Sequence, residues 1–287
     1  MIPAAFEYVR PSTVDEAVQA LTDGGEDAKV LAGGQSLIPV LRLRLAAPSV
    51  LVDLGGLGEL RDVRDDGDAL VIGAMTRHAD ILRDPLVRAH APLLAQATAT
   101  VADRQVRHLG TIGGSLAHAD PAGDLPGVAV ALDVVMEIAG PGGRRTVAAS
   151  DFFVDFLTTA LGPDEVLVSV RVPKQDGWGT HYEKFNRVAQ AWSIVGVAAA
   201  VRRDNGSIAE ARVSLTNMGA TPIRARGVEE ALVGAPATMD AVAAAAERAA
   251  EGTAPPTDVT ASADYRTHLA TVLTRRALAA AGGVHAA

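Results

Sequence analysis

The chain has 287 residues, 48% hydrophobic and 21% charged, which excludes a disordered chain or a small stapled scaffold and makes two domains the expectation. The absence of cysteine excludes disulfides, thiolate zinc sites, ordinary protein-ligated iron–sulfur clusters and a cysteine nucleophile. A net charge of −8 without a basic run argues against a nucleic-acid surface, and the lack of a signal-like or bilayer-length apolar stretch gives a cytoplasmic protein as the expectation.

In chain order, Ser12 or Thr13 should cap a helix carrying Ala17, Val18 and Leu21, stopped at Gly24-Gly25. Lys29 to Ala32 reads as a buried strand. It is broken by Gly33-Gly34, after which Ser36 should cap a helix running to Leu45. Further strands are expected over Ser49 to Leu54 and Ala69 to Gly73, then helical structure from Arg77 to Arg107. Gly110 to Pro126 reads as a long loop by composition, and such loops in compact domains are usually functional. A hairpin follows over Val134 to Val147, turning at Pro141-Gly142-Gly143, and then a strand over Glu165 to Val172. The turn-rich stretch Pro173 to Gly179 suggests a domain boundary. Three strands are expected beyond it, the second and third joined at Asn205-Gly206, with Ala-rich helices over Gly227 to Leu232, Thr238 to Ala250 and Ala263 to Ala281.

Two motifs stand out, Ala32-Gly33-Gly34-Gln35-Ser36 and Thr111-Ile112-Gly113-Gly114-Ser115. Without Cβ atoms a backbone can turn successive N–H groups into one concavity, and a following helix start adds positive potential, a combination suited to a pyrophosphate. Each pair also fits a plain tight turn. Neither a Gly-x-Gly-x-x-Gly opening a βαβ unit nor a Gly-x-x-x-x-Gly-Lys is present, and Gly34-Gln35-Ser36 lacks the trailing glycine of a nucleophile elbow.

Taken together, Ala-Gly-Gly-Gln-Ser-Leu from Ala32 and Thr-Ile-Gly-Gly-Ser-Leu-Ala-His-Ala-Asp-Pro-Ala-Gly-Asp-Leu-Pro from Thr111 closely resemble the FAD-binding medium subunit of the molybdenum hydroxylases, in the xanthine dehydrogenase family. Within it the chain is most similar to the aerobic carbon monoxide dehydrogenase medium-subunit type, from Phe6 to Pro11 through Lys184-Phe185 to the C-terminal portion. The resemblance implies an α+β fold: a vanillyl-alcohol-oxidase-like (PCMH-type) FAD-binding domain over 1–177, with subdomains of about 1–55 and 56–177, and a C-terminal domain over 178–287 of a small antiparallel sheet with helices. It implies that Ala32, Gly33, Gly34, Gln35 and Ser36 with Thr111, Ile112, Gly113, Gly114 and Ser115 embrace the FAD diphosphate. Asp124 would bind the adenosine half or the ribityl chain, and Leu167 and Lys184 would line the site.

The function implied is an electron-transfer flavoprotein subunit, with no catalytic side chain and no metal of its own. It would take electrons from two-iron two-sulfur clusters on a small partner subunit, pass them to a terminal acceptor, and sit beside a large molybdopterin subunit, the whole a dimer of heterotrimers. Alternatives are a non-catalytic assembly module of the same fold and a free-standing flavin oxidase. His118, Asp120 and Asp124 have ligand-like spacing, but a single imidazole makes a polar loop near a diphosphate the better account. His118 is either a donor to the flavin or the loop, or structural; Trp192 either covers a flavin face, meets a partner, or packs in a core. Lys184 either neutralises phosphate or is an exposed strand lysine. The high apolar fraction should include surface for partners.

Overall fold

The computed structural model describes residues 2–284; Met1 and residues 285–287, the ends of the two expected domains, lie outside them. The chain opens with β1 (Glu7–Val9), α1 (Val14–Gly24), β2 (Ala28–Leu31), α2 (Leu37–Arg42) and β3 (Val50–Asp53), whose strands form a parallel sheet in the order β1-β3-β2. Thr13 caps α1, its hydroxyl accepting from Glu16 N at 3.1 Å, and Val14, Ala17, Val18 and Leu21 turn one helical stripe into the core.

The second part runs through β4 (Val63–Asp66), β5 (Ala69–Gly73), α3 (His78–Ile81), α4 (Pro85–His90), α5 (Pro92–Thr100), α6 (Arg104–Leu109), α7 (Ile112–His118), α8 (Asp124–Ala131), β6 (Val135–Gly140), β7 (Gly143–Ala148), α9 (Ala149–Phe152), β8 (Phe153–Asp155), β9 (Thr158–Thr159) and β10 (Val166–Pro173). Its antiparallel sheet has the order β4-β5-β10-β6-β7, so the last strand made is the central one. A central strand is covered on both faces, and β10 is apolar enough for that. A bulge between Leu167 and Ser169 resets its alternation, leaving Val166 and Val168 in the core beneath α1 and Leu167, Val170 and Val172 in the core beneath α5, α7 and α8.

The third part comprises β11 (Gly179–Phe185), β12 (Val195–Asp204), β13 (Ser207–Thr216), β14 (Ile223–Arg224), α10 (Arg226–Leu232), α11 (Met239–Ala246) and α12 (Ala263–Gly282). Its strands form one antiparallel sheet in sequence order, with Asn205 and Gly206 both at positive φ in the tight turn between β12 and β13. Val195, Val197, Ala199 and Val201 of β12 face α12, while Ala198 and Ala200 face the core shared with α5 and α8. Small residues on that second face let the sheet seat directly on the preceding half.

Two expectations are corrected. Gly110 to Pro126 is not a loop, because α7 and the first turn of α8 occupy most of it and 119–123 is the irregular stretch between them. The helical stretch expected from Arg77 to Arg107 is built as four short helices, α4 and α5 each opening on a proline. Ser36 caps nothing through its side chain, and α2 stops at Arg42 rather than continuing to Leu45.

Candidate functional site

The two glycine motifs meet. The first turn follows β2; the second motif opens α7, with Thr111 as its N-cap, and a Cβ on Gly33 would fall 2.3 Å from the Leu109 carbonyl oxygen and 2.8 Å from Gly110 Cα. A Cβ on Gly114 would lie 3.4 Å from that of Ala32. Only residues without side-chain bulk allow two backbones so close.

The turns differ in what they do with their N–H groups. Gly34 takes a φ of +71°, the left-handed region, and among the described residues the N–H groups of Gly33, Gly34, Gln35 and Ser36 find no acceptor within the chain. The Gln35 side chain donates instead to Gly33 O at 3.1 Å, leaving the backbone donors open. In the second turn every corresponding donor is used. Ile112 N donates to Thr76 O at 3.0 Å, Gly113 N to Ala74 O at 2.8 Å and Ser115 N to Thr111 O at 3.0 Å. Gly114 N donates to Thr111 Oγ1 at 3.1 Å, an N-cap. Gly113 is where α7 touches the end of β5, since a Cβ there would come 2.5 Å from Ala74 Cβ.

His78, which the sequence did not single out, lies under the junction. Its N–H donates to Gly110 O at 2.9 Å, its ring sits against Gly110 Cα, and Nδ1 is buried without a partner. Burial first, and the Arg107 charge second, lower its pKa to about 4, so the imidazole is neutral.

Asp124 and Lys184 form the second centre. Asp124 opens α8, only 4% exposed, and accepts from Lys184 Nζ at 2.7 Å, Tyr182 OH at 2.8 Å and Ser193 Oγ at 2.7 Å. Lys184 Nζ also donates to Thr100 O at 3.1 Å. Its charge is met inside the protein and its side chain is 5% exposed, so the exposed-strand reading of Lys184 does not hold. A buried ion pair is tolerable when further hydrogen bonds support it, and here two hydroxyls besides Lys184 donate to the carboxylate. Burial, with the neighbouring carboxylate, raises the Tyr182 phenol well above its usual value and keeps it a donor. Tyr182 and Ser193 were also missed; the available signal was the period of two in β11, which puts Tyr182 and Lys184 on one face and His181 and Glu183 on the other.

The remaining predicted residues are more dispersed. Leu167 is buried in the core it shares with Ile112 and Leu116, behind α7. His118 ends α7, half-buried, with Nε2 3.9 Å from Asp120 Oδ2 and its ring 6.5 Å from that of Trp192. Trp192 is 54% exposed, which removes the core-packing reading. Among the described residues no three His, Asp or Glu side chains converge as metal ligands.

A cradle of open backbone donors beside a crossing of two glycine motifs, with a buried polar cluster on the adjoining sheet, has the chemistry to suit an anionic, hydroxyl-bearing cofactor. Residues 4–175 match the family described as the FAD binding domain in molybdopterin dehydrogenase, and residues 180–281 match the CO dehydrogenase flavoprotein C-terminal domain. The chain belongs to this family of molybdenum-enzyme flavoproteins; it is an FAD-binding oxidoreductase subunit of PCMH-type fold with the flavoprotein C-terminal domain. It is 43% identical over 282 residues to the carbon monoxide dehydrogenase medium chain of Hydrogenophaga pseudoflava, covering 98% of each chain. It is 37% identical over 283 residues to the 6-hydroxypseudooxynicotine dehydrogenase complex subunit alpha of Paenarthrobacter nicotinovorans, covering 98% of this chain and 96% of that one. The solved carbon monoxide dehydrogenase of Hydrogenophaga pseudoflava superposes with a TM-score of 0.96 at 44% identity, covering 99% of both chains.

Proposed function

We propose that the chain is the electron-relay component of a molybdenum hydroxylase complex, holding FAD between a partner's iron–sulfur clusters and a terminal acceptor. The observation that carries the binding geometry is the row of unpartnered N–H groups at Gly33, Gly34, Gln35 and Ser36, which fits a doubly charged diphosphate. Ala32 to Ser36 supply its donors, and Thr111 to Ser115 form the opposing wall. Asp124 takes a hydroxyl of the ribityl chain or the adenosine half, Lys184 fixes Asp124, Leu167 supports the wall from within the core, and His118 borders the site. When bound, FAD supplies the conversion between single-electron supply and delivery to the acceptor; the protein binds, orients and shields it. Among these side chains none is asked to act as an acid or base.

In this reading residues 1–177 hold the cofactor and 178–287 close over it. The molybdopterin subunit and the iron–sulfur subunit are separate chains, which the lack of cysteine here supports, and the assembly is a cytoplasmic dimer of heterotrimers. No helix among the described residues is long and apolar enough to cross a membrane. Exposed apolar side chains support docking of partners: Ile38, Leu43 and Leu45 follow the first glycine turn, and Val154, Phe156 and Leu157 form a second patch. Relatives at 43% and 37% identity carry the names of different substrates, so the substrate is set elsewhere in the complex. The test is to purify the chain with its neighbours. Flavin absorbance with FAD released on denaturation, and co-purification of a cysteine-rich small and a molybdopterin-type large subunit, are expected; a colourless protein that takes up no added FAD would overturn the reading.

A further inference from the structure

The segment 119–123, which joins α7 to Asp124, is held from the C-terminal sheet. Pro121 O accepts from Asn217 N at 2.8 Å, and Ala122 O accepts from Ser193 N at 3.3 Å. Ser193 is itself fixed from behind: its carbonyl accepts from Asn217 Nδ2 at 2.7 Å, and the next carbonyl, Ile194 O, accepts from the guanidinium of Arg266. Arg266 is a fully buried side chain of α12 whose other nitrogen pairs with Asp258 at 2.6 Å. Burying a guanidinium is costly, and apolar packing of β12 on α5 and α8 already joins the two halves without it. What this machinery adds is the placement of one hydroxyl. Ser193 Oγ and Tyr182 OH both donate to Asp124 Oδ1, and Lys184 donates to Oδ2. Three of the roughly four acceptor positions of a carboxylate are then filled, and the one left is on Oδ2.

We infer that Tyr182 and Ser193 are positioning residues for FAD: their hydroxyls turn the Asp124 carboxylate so that its one remaining acceptor position meets a hydroxyl of the bound cofactor, while the N–H groups of Ser193 and Asn217 hold 119–123 between α7 and Asp124. The inference rests on the FAD-binding reading above. It makes the C-terminal sheet part of the cofactor site although both glycine turns belong to the preceding half.

The test uses the full chain stripped of flavin, titrated with FAD by fluorescence quenching, with the flavin circular dichroism of the complex and the melting temperature of the stripped protein recorded in parallel. Tyr182→Phe and Ser193→Ala are each expected to weaken FAD about tenfold or more, the effect of losing one hydrogen bond to a charged group, and to change the flavin dichroism. Ser193→Thr, which keeps the hydroxyl, should restore both to within about twofold, less than the loss of that bond. A fall in melting temperature with affinity and dichroism unchanged would show a merely structural knot and overturn the inference. Ser193→Ala removes a single atom and decides the question alone if Tyr182→Phe does not fold. A wild-type chain that takes up no FAD overturns the FAD-binding reading as well, whereas wild-type binding with unaffected variants overturns only this inference.

Discussion

The two glycine turns carry the same dipeptide and serve opposite ends. At Gly33-Gly34 the backbone leaves its donors open, with Gly34 in the left-handed region; at Gly113-Gly114 every donor is consumed by Ala74, Thr76 and Thr111. In the first turn the missing side chains buy exposure of N–H groups. In the second they permit contact, α7 pressing on the end of β5 through Gly113 and on the first turn through Gly114. A glycine pair in a sequence therefore announces proximity, and only the fate of its N–H groups tells a cradle from a joint.

Crowding at the joint gives the largest expected effects. Gly113→Ala places a Cβ 2.5 Å from Ala74 Cβ and Gly33→Ala one 2.3 Å from Leu109 O, both against backbone or its immediate attachment. Each should cost about 3 kcal/mol, as overpacking does, measurable by denaturant unfolding, with flavin lost as well. An unchanged unfolding midpoint would mean, for Gly113, that α7 does not press on Ala74 and, for Gly33, that the first turn does not meet the Leu109–Gly110 backbone. His78 comes next. A base whose folded pKa is lowered to about 4 is out-competed for protons by the unfolded chain, so its contribution is complete above about pH 6.5 and drains away as pH falls toward 4. The loss attributable to this one group approaches ~3 kcal/mol at the acid end, and His78→Leu should flatten that part of the stability profile; a profile identical to wild type would contradict the assignment.

Charge separates cradle from joint with a smaller but cleaner signal. Ser36→Asp sets a carboxylate among the open donors without a backbone clash and should weaken FAD at least about tenfold, ~1.4 kcal/mol, with the melting temperature little changed. Ser115→Asp, on the turn whose donors are spent, should weaken it less; the reverse order would exchange the roles of the two turns. Gly114→Ala has the mildest outcome, about 1 kcal/mol or less, because its Cβ would meet the Thr111 hydroxyl at 2.9 Å and Ala32 Cβ at an ordinary 3.4 Å.

Legibility in the sequence followed the range of the cause. The Thr13 cap, the β6–β7 hairpin and the Asn205-Gly206 turn are local and were readable. Helix α7 is hidden in the sequence because glycine composition argues against a helix, while what stabilises it is the Thr111 cap, burial of Ile112 and Leu116, and the distant backbone of Ala74. The Ser36 cap failed because Ser36 already has right-handed helical dihedrals, whereas a capping side chain needs the extended backbone that Thr13 has. The glycine motifs and Asp124 were legible as family residues. Tyr182 and Ser193 were not, since they reach Asp124 across 58 and 69 residues; the period of two in β11 sets Tyr182 on the Lys184 face, and nothing near Ser193 in the chain announces its role. His78 had no signal at all, its role arising only where Gly110 comes to rest on its ring.

Amide hydrogen exchange on the flavin-stripped chain, before and after adding FAD, tests the division of labour between the turns most directly. The open donors of Gly33, Gly34, Gln35 and Ser36 should exchange fast without FAD and become protected with it, while those of Ile112 to Ser115 should be protected in both states. Protection by FAD that appears at Ile112 to Ser115 and leaves Gly33 to Ser36 unchanged would contradict it.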